Sequence, residues 1–102
     1  MIVIVESPFA GDMVANRDYV IKACADCFRR GEIPFASHLL YPQILDELKP
    51  DEREAGITAG YEFWKLAKVV AFYVDCGMSP GMQRAFARAE KLNMVIEKRN
   101  LP

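Results

Sequence analysis

Short apolar runs separated by longer amphipathic stretches are the feature of this sequence that most restricts its fold. Ile2–Val5 (IVIV) and Val69–Val74 (VVAFYV) are continuous, rich in β-branched side chains and too short for a helix. Such runs are typical of strands that are covered on both faces, as in a parallel sheet. Two further runs, Ile33–Ala36 and Met94–Glu97, predict a second and a last strand.

Capping signals between these runs predict a first and a third helix. Asp12 is expected to cap a helix that ends near Gly31. Ser79 caps another, with Pro80 at its first position and Asn93 at its end. The apolar side of the first helix is expected to face the sheet; it consists of Val14, Ile21, Cys24, Ala25 and Phe28.

The middle helix carries two apolar stripes. It is predicted to run from Asp51, which with Glu54 resembles a capping box, to Ala67. The stripe assigned to the core consists of Ala55, Ala59, Phe63 and Leu66. The second stripe predicts a homodimer contact, because a helix with two apolar sides is often shared with a partner; it consists of Ile57, Tyr61 and Trp64.

Strands and helices therefore alternate along the whole chain. This order predicts a three-layer α/β sandwich of the Rossmann or flavodoxin type, with a four- or five-stranded, mainly parallel sheet. A length of 102 residues fits one domain, residues 1–102, without internal repeats or linkers.

Composition excludes several classes of function. The net charge of −1 gives no general attraction to nucleic acid polymers or anionic membranes. No apolar run approaches the roughly 20 residues of a membrane span. The first residues lack the basic segment and the long apolar run of a signal peptide, so a cytoplasmic location is expected.

The cysteines and the basic residues near the end are assigned structural and solvated roles. Three cysteines are an odd number, which argues against a disulfide framework. Cys24 and Cys27 have redox or zinc spacing, but they lie within a helical pattern without a second ligand pair. Lys98 and Arg99 are expected to be solvated.

Three loops are predicted to form a ligand site. In open parallel sheets, ligands bind beyond the carboxyl ends of the strands, where the strand order reverses. The loops that reach this edge follow the first, second and third strands. Their glycine, serine and aromatic residues suit a base and a sugar or phosphate, the last near the free amides of a helix start. The candidate ligand-binding residues are Ser7, Pro8, Phe9, Gly11, His38, Ser79, Gly81 and Met82.

The same loops carry no established nucleotide or metal motif. They lack a Walker sequence and a G-x-G-x-x-G fingerprint, so triphosphates and dinucleotides are not indicated. A lone His38 cannot form a Cys–His metal set, and no metal or cofactor is predicted. His38 is either a ligand contact or a hydrogen-bonded loop residue. Glu62 is either directed towards the pocket or solvated beside Lys65.

Four segments resemble a family of small phage and bacterial proteins. They are SPFAGD, IPFASHLLYPQILDE, AGYEFWKLAKVVAFYVD and SPGMQRAFARAEKLNMVI, and PFASHLLYPQ is the most specific part. This family is similar in fold to the nucleoside 2-deoxyribosyltransferases and the deoxynucleoside-monophosphate N-glycosidases. The resemblance implies a nucleoside or nucleotide ligand whose base–sugar bond is attacked by a glutamate on the last helix.

The chain departs from the family at that glutamate. The family pattern is Ser-x-Gly-Met-x-x-Glu, whereas this chain has Ala85 at the last position. A methyl group neither attacks nor stabilises positive charge. Three other acids are candidates to replace this glutamate: Glu6, Glu62 and Asp75. At Glu6 the family more often has a small residue, and Asp75 lies at the end of the third strand.

Three functions follow as alternatives. The first is a nucleotide- or nucleoside-binding protein that is catalytically impaired and senses or sequesters its ligand. The second is an active N-glycosidase or deoxyribosyltransferase that uses a relocated carboxylate. The third is a dimeric interaction module with a vestigial pocket. The sequence thus leaves catalysis open.

Overall fold

The computed structural model describes residues Met1–Pro102 and has a four-stranded sheet in which all strands are parallel. The strands are β1 (Ile2–Glu6), β2 (Ile33–Phe35), β3 (Val69–Tyr73) and β4 (Val95–Arg99), in the spatial order β2-β1-β3-β4. The central pair is in register, with Val3 opposite Val69 and Glu6 opposite Phe72. The predicted α/β sandwich is confirmed.

Helices cover both faces of this sheet. Helix α1 (Met13–Arg29) follows β1, and α3 (Pro50–Trp64) and α4 (Pro80–Lys91) precede and follow β3. The short helix α2 (Ser37–Leu40) and a 3-10 turn (Tyr41–Gln43) connect β2 to α3. One apolar cluster joins the sheet to α1, and a second joins its other face to α3 and α4. No helix combines the length and hydrophobicity that crossing a membrane requires.

The predicted N-cap of α1 is confirmed, but its predicted buried side is wrong. The Asp12 carboxylate accepts a hydrogen bond from the Ala15 amide. Phe28, however, is 67% exposed, and Val14 and Ile21 are exposed with it. The buried residues of α1 are Val20, Ala23, Asp26 and Cys27.

The physical reason is that the sheet side of α1 includes a buried acid. Asp26 accepts a hydrogen bond from the Tyr73 hydroxyl at 2.7 Å and pairs with Arg29 and Arg30. These partners lower the pKa of Asp26 to about 2, with the Tyr73 hydrogen bond as the largest cause. Charged residues are rarely buried without partners. A prediction from apolar residues alone therefore places Asp26 on the exposed side and assigns the wrong side of α1 to the core.

The core stripe predicted for α3 is also wrong. Leu66, beyond the end of the helix, is 64% exposed, and Phe63 is exposed too, whereas Gly56, Gly60 and Trp64 are buried. The glycines let α3 approach its neighbours closely: a Cβ atom built on Gly60 would lie 2.9 Å from the Ser37 Cβ atom. Glycine does not contribute to a hydrophobic pattern, so the pattern assigned a different side of α3 to the core.

The ends of α3 and α4 differ from prediction to different degrees. Lys49 is the N-cap of α3 and Pro50 takes its first position, so Asp51 does not form the predicted capping box. In α4, Ser79 caps the helix and Pro80 is its first residue, as predicted. This helix ends at Lys91, two residues before the predicted end.

Arg99 was expected to be solvated at the basic end of the chain, and this prediction is wrong. Its side chain is 3% exposed and forms two 2.7 Å bonds to the Glu32 carboxylate, while Lys98 remains exposed. Arg99 also donates to the Tyr73 hydroxyl, beside the buried Cys27. This network links β4 to α1 and the start of β2, so it holds the scaffold beneath the site together.

Candidate functional site

A cavity opens where the strand order reverses. The chain leaves β1 for β2 on one side and later returns to β3 on the other, so the crevice between β1 and β3 lies at the switch point of the sheet. The cavity has a volume of about 280 Å³. This is close to the lower end of the roughly 300–1,000 Å³ that is usual for small-molecule sites.

The three predicted loops all contribute to this cavity. The segment after β1 provides Ser7 and Phe9, and the helix after β2 provides His38. The start of α4 provides Ser79, Gly81 and Met82. Six of the eight candidate ligand-binding residues line it: Ser7, Phe9, His38, Ser79, Gly81 and Met82. Pro8 and Gly11 are not among the lining residues. Ligand contact by any of the eight stays a prediction.

Ser7 and His38 connect two of these loops. The Ser7 Oγ and His38 Nε2 atoms lie 2.7 Å apart, and Ser7 is buried. The Phe9 ring packs edge-on to the imidazole, with 6.4 Å between ring centroids. Burial lowers the pKa of His38 to about 4. The imidazole is therefore neutral at pH 7 and holds one proton, so it is not a cationic anchor for phosphate.

Glu6 presents an unpaired carboxyl group to the cavity. It is the last residue of β1 and lies at the switch point beside β3. It takes part in no ion pair, and its side chain makes no hydrogen bond within the chain. Burial raises its pKa to about 8, so the carboxyl group keeps its proton at neutral pH. Only a ligand or water can satisfy its hydrogen bonds.

The start of α4 forms a polar rim. The Ser79 hydroxyl accepts a hydrogen bond from the Met82 amide at 3.3 Å, and no acid occupies the first turn. The Gly81 amide has no backbone partner, as is usual for the first amides of a helix. Arg84 lines the cavity and is exposed, with no acid paired to it. This rim is suited to an acceptor or anionic group at the cavity mouth.

Ala85 occupies the inner side of the same helix. It is 3% exposed and belongs to the apolar cluster with Met82 and Trp64, while still lining the cavity. The position that the resemblance assigns to an attacking glutamate is thus a methyl group on an apolar wall. Of the three candidate acids, Glu6 is the one that lines the same cavity.

The other two candidate acids lie outside the cavity. Glu62 is exposed and pairs with Lys65 at 2.7 Å, which is the solvated alternative considered for it. Asp75 is exposed and accepts hydrogen bonds from the Tyr19 hydroxyl and the Leu101 amide. These bonds lower its pKa, with the Tyr19 hydroxyl as the largest cause. Neither acid is placed to act on a ligand in the cavity.

The surface predicted as a homodimer contact lines the cavity. Ile57, Tyr61 and Trp64 all line the cavity, and Trp64 is 5% exposed. Tyr61 packs edge-on against Trp64, and the Arg88 guanidinium lies 3.8 Å from the Tyr61 ring centroid. Trp64 is thus covered by this same chain, whereas Ile57 and Tyr61 are half-buried, and the homodimer contact stays a prediction.

Several lining residues were missed by the sequence analysis. Three of them lie between β2 and α3, in a segment without strong periodicity, three lie on α3 and one lies on α4: Tyr41, Pro42, Glu47, Arg53, Gly56, Gly60 and Arg84. Glu47 and Arg53 form a loose ion pair at 3.8 Å. The spacing Gly56-x-x-x-Gly60 was the available signal, because two glycines one turn apart mark a close helix approach.

The cavity is thus a partly aromatic pocket with a polar rim that includes the unpaired Arg84. No group of three or more His, Cys, Asp or Glu residues is arranged to hold a metal ion. The aromatic rings can stack on a flat heterocycle, and Ser7, Glu6 and the α4 start can hydrogen-bond a polar ligand.

Comparison with known proteins places most of the chain in one family. A family model described as a domain of unknown function, DUF7768, matches residues 1–99. The chain matches no curated protein and no protein of solved structure.

Proposed function

The chain belongs to the DUF7768 family, a domain of unknown function, and we propose that it binds a nucleoside or nucleotide in the cavity between β1 and β3. The observation that carries the proposal is the convergence of Ser7, His38 and Ser79 on one cavity at the switch point. These residues come from three separate crossover loops, which is the usual arrangement of ligand sites in open α/β sheets.

The chemistry of the walls supports a base linked to a sugar. The side chains of Phe9, Tyr41, Tyr61 and Trp64 line the cavity and give its walls an aromatic character that suits a heterocycle. Stacking of a base on an aromatic side chain contributes about 1–3 kcal/mol in nucleic-acid complexes. The free Gly81 amide and the unpaired Arg84 at the rim suit a sugar hydroxyl or a phosphate.

Binding with impaired catalysis is the form of the proposal that Ala85 supports. The resemblance to nucleoside 2-deoxyribosyltransferases assigns the attacking carboxylate to this position, and Ala85 supplies none. Loss of a nucleophile costs about six orders of magnitude in rate in a well-studied protease. The expected role is therefore to sense or sequester the ligand.

A second candidate function is hydrolysis of the base–sugar bond with Glu6 as general acid. The observation that favours it is an unpaired, protonated carboxyl group within the cavity. In such a reaction the base–sugar bond would break as Glu6 donates its proton to the departing base. The water that adds to the anomeric carbon would then return a proton to the Glu6 carboxylate. A carboxyl group that is protonated at pH 7 suits an acid better than a nucleophile.

Trp64 provides a direct test, because it is the single tryptophan of the chain and lines the cavity. We expect its fluorescence to change saturably with at least one member of a panel of nucleosides and 5′-monophosphates. Saturation at 100 times the dissociation constant should add about 2.7 kcal/mol to the free energy of unfolding. Absence of both effects across the panel would rule the proposal out.

Chromatography of the same mixtures separates the two functions. Recovery of intact ligand supports binding alone, whereas free base that depends on Glu6 supports hydrolysis. The matched controls are Glu62→Gln and Asp75→Asn, which change acids outside the cavity. Loss of base release in these controls would place the chemistry elsewhere.

A further inference from the structure

Glu6 is the acid of the cavity for which the chain provides no partner. Glu47 also lines the cavity, but it pairs with Arg53. Glu6 stands at the end of a central strand, beside the buried Ser7, so the sheet fixes its backbone where the side chain lines the cavity. An unpaired carboxyl group in a pocket usually indicates a cationic ligand, and the surroundings of Glu6 argue against that interpretation.

The groups around Glu6 do not stabilise its charged form. The other titratable groups that line the cavity are His38, Tyr41, Glu47, Arg53, Tyr61 and Arg84. None forms an ion pair or hydrogen bond with Glu6, and desolvation alone raises its pKa to about 8. At neutral pH the group is a carboxylic acid, which offers an O–H donor next to a carbonyl acceptor.

We propose that Glu6 acts as an uncharged hydrogen-bonding group that selects a neutral ring edge, in which an acceptor atom stands beside a donor. Adenine and cytosine present such an edge, with a ring nitrogen next to an amino group. A cation with only donors, such as an amidinium, pairs instead with an ionised carboxylate. The inference rests on the proposed function and names the chemistry by which the same cavity recognises its base.

Glutamine is the matched substitution, because its amide also carries a donor beside an acceptor and does not titrate. Glu6→Gln should therefore bind 2′-deoxyadenosine about as well as the wild-type chain at pH 7. Glu6→Ala should bind it more weakly, since it removes both groups. A carboxylate that accepts two hydrogen bonds from the ligand would give the opposite result, because Glu6→Gln replaces one of the acceptors by a donor.

The pH dependence provides the second part of the test. If only the protonated form binds, the affinity of the wild-type chain for 2′-deoxyadenosine should fall about tenfold between pH 7 and pH 9. In Glu6→Gln the affinity should stay constant over this range. Benzamidine, a flat cation with a two-donor edge, should show the reverse trend with the wild-type chain and bind better above pH 8.

Trp64 fluorescence titrations of the three chains at pH 6, 7, 8 and 9 decide between these outcomes. Binding that is pH-independent in the wild-type chain, or lost in Glu6→Gln while that variant retains its native unfolding transition, would overturn the inference and leave nucleoside binding intact. No response to any nucleoside at any pH would overturn both the inference and the proposed function.

Discussion

The Ser7 hydroxyl and the His38 Nε2 atom lie 2.7 Å apart and join the segment after β1 to the helix after β2. Both residues line the cavity. Because burial lowers the pKa of His38 to about 4, the imidazole is neutral at pH 7, and the hydrogen bond joins two neutral side chains. This bond fixes two of the three loops that form the site.

Removing the hydroxyl should destabilise the fold. Ser7→Ala leaves a desolvated imidazole nitrogen without its partner, which typically costs about 1–3 kcal/mol. Urea unfolding at pH 7 measures this change. The double variant Ser7→Ala/His38→Phe is the control, because removing both polar partners should cost less than the sum of the single changes. Strict additivity would mean that the two side chains do not interact.

A methyl group at Gly60 should be more damaging than one at Gly81. At Gly60 the added Cβ would meet the Ser37 Cβ atom at 2.9 Å, which forces α3 away from α2 and should cost about 1–3 kcal/mol. At Gly81 the nearest atom is the flexible Arg84 Nη2 at 3.8 Å. Gly81→Ala should therefore be neutral or add up to about 1 kcal/mol. Thermal unfolding of the two variants measures the difference, and equal melting temperatures would contradict the close approach of α2 and α3.

The buried Arg99–Glu32 pair should matter far more than the exposed Lys65–Glu62 pair at the same 2.7 Å distance. Arg99→Met leaves a buried carboxylate unpaired and should cost about 3–5 kcal/mol. Lys65→Met should cost at most about 1 kcal/mol. Chemical denaturation compares the two, and similar losses would argue against burial of the Arg99 network. Adding Glu32→Leu to Arg99→Met should recover part of the loss.

Glu6 should make the stability of the fold depend on pH. Its pKa is about 8 when folded, above the ordinary value of 4.5, so the native state binds the proton more tightly than the unfolded state. Its contribution is complete below about pH 4.5 and declines as the pH rises to about 8. Each pH unit in this window removes up to about 1.4 kcal/mol.

Glu6→Gln isolates this contribution, because the amide keeps the size of the side chain without titrating. Relative to the wild-type chain, the variant should gain stability between pH 5 and pH 8 and show a constant difference above that. Urea unfolding across this range measures the difference. A difference that is independent of pH would mean that Glu6 keeps an ordinary pKa in the folded chain.

Local signals predicted the elements that the fold depends on most. The run Val69–Val74 gave a confirmed central strand, since only a fully covered strand tolerates apolar residues on both faces. Ser79 and Pro80 located the start of α4, because capping is decided by neighbouring residues. The alternation of strands and helices then predicted a parallel sheet. In such a sheet the loops after the first three strands meet at one edge.

The orientation of the helices and the residues that form the cavity walls were predicted less well, because both depend on contacts between residues that are distant in sequence. The buried side of α1 was wrong because Asp26 is satisfied by Tyr73, which is 47 residues away in sequence. The core side predicted for α3 was wrong because two glycines, Gly56 and Gly60, are buried with Trp64, and glycine adds nothing to an apolar pattern. Glu47 lies in the segment before α3, which has no periodicity, and Arg53 lies in the first turn of α3, so no local pattern indicates that both line the cavity.

The most direct test of the central claim is an amide-resolved NMR titration of the chain with 2′-deoxyadenosine. The account predicts saturable shifts that cluster at the amides around Ser7, His38 and Gly81, the three loops of the cavity. Absence of shifts across the nucleoside and monophosphate panel, or shifts confined to the exposed side of α1 around Ile21, would contradict it.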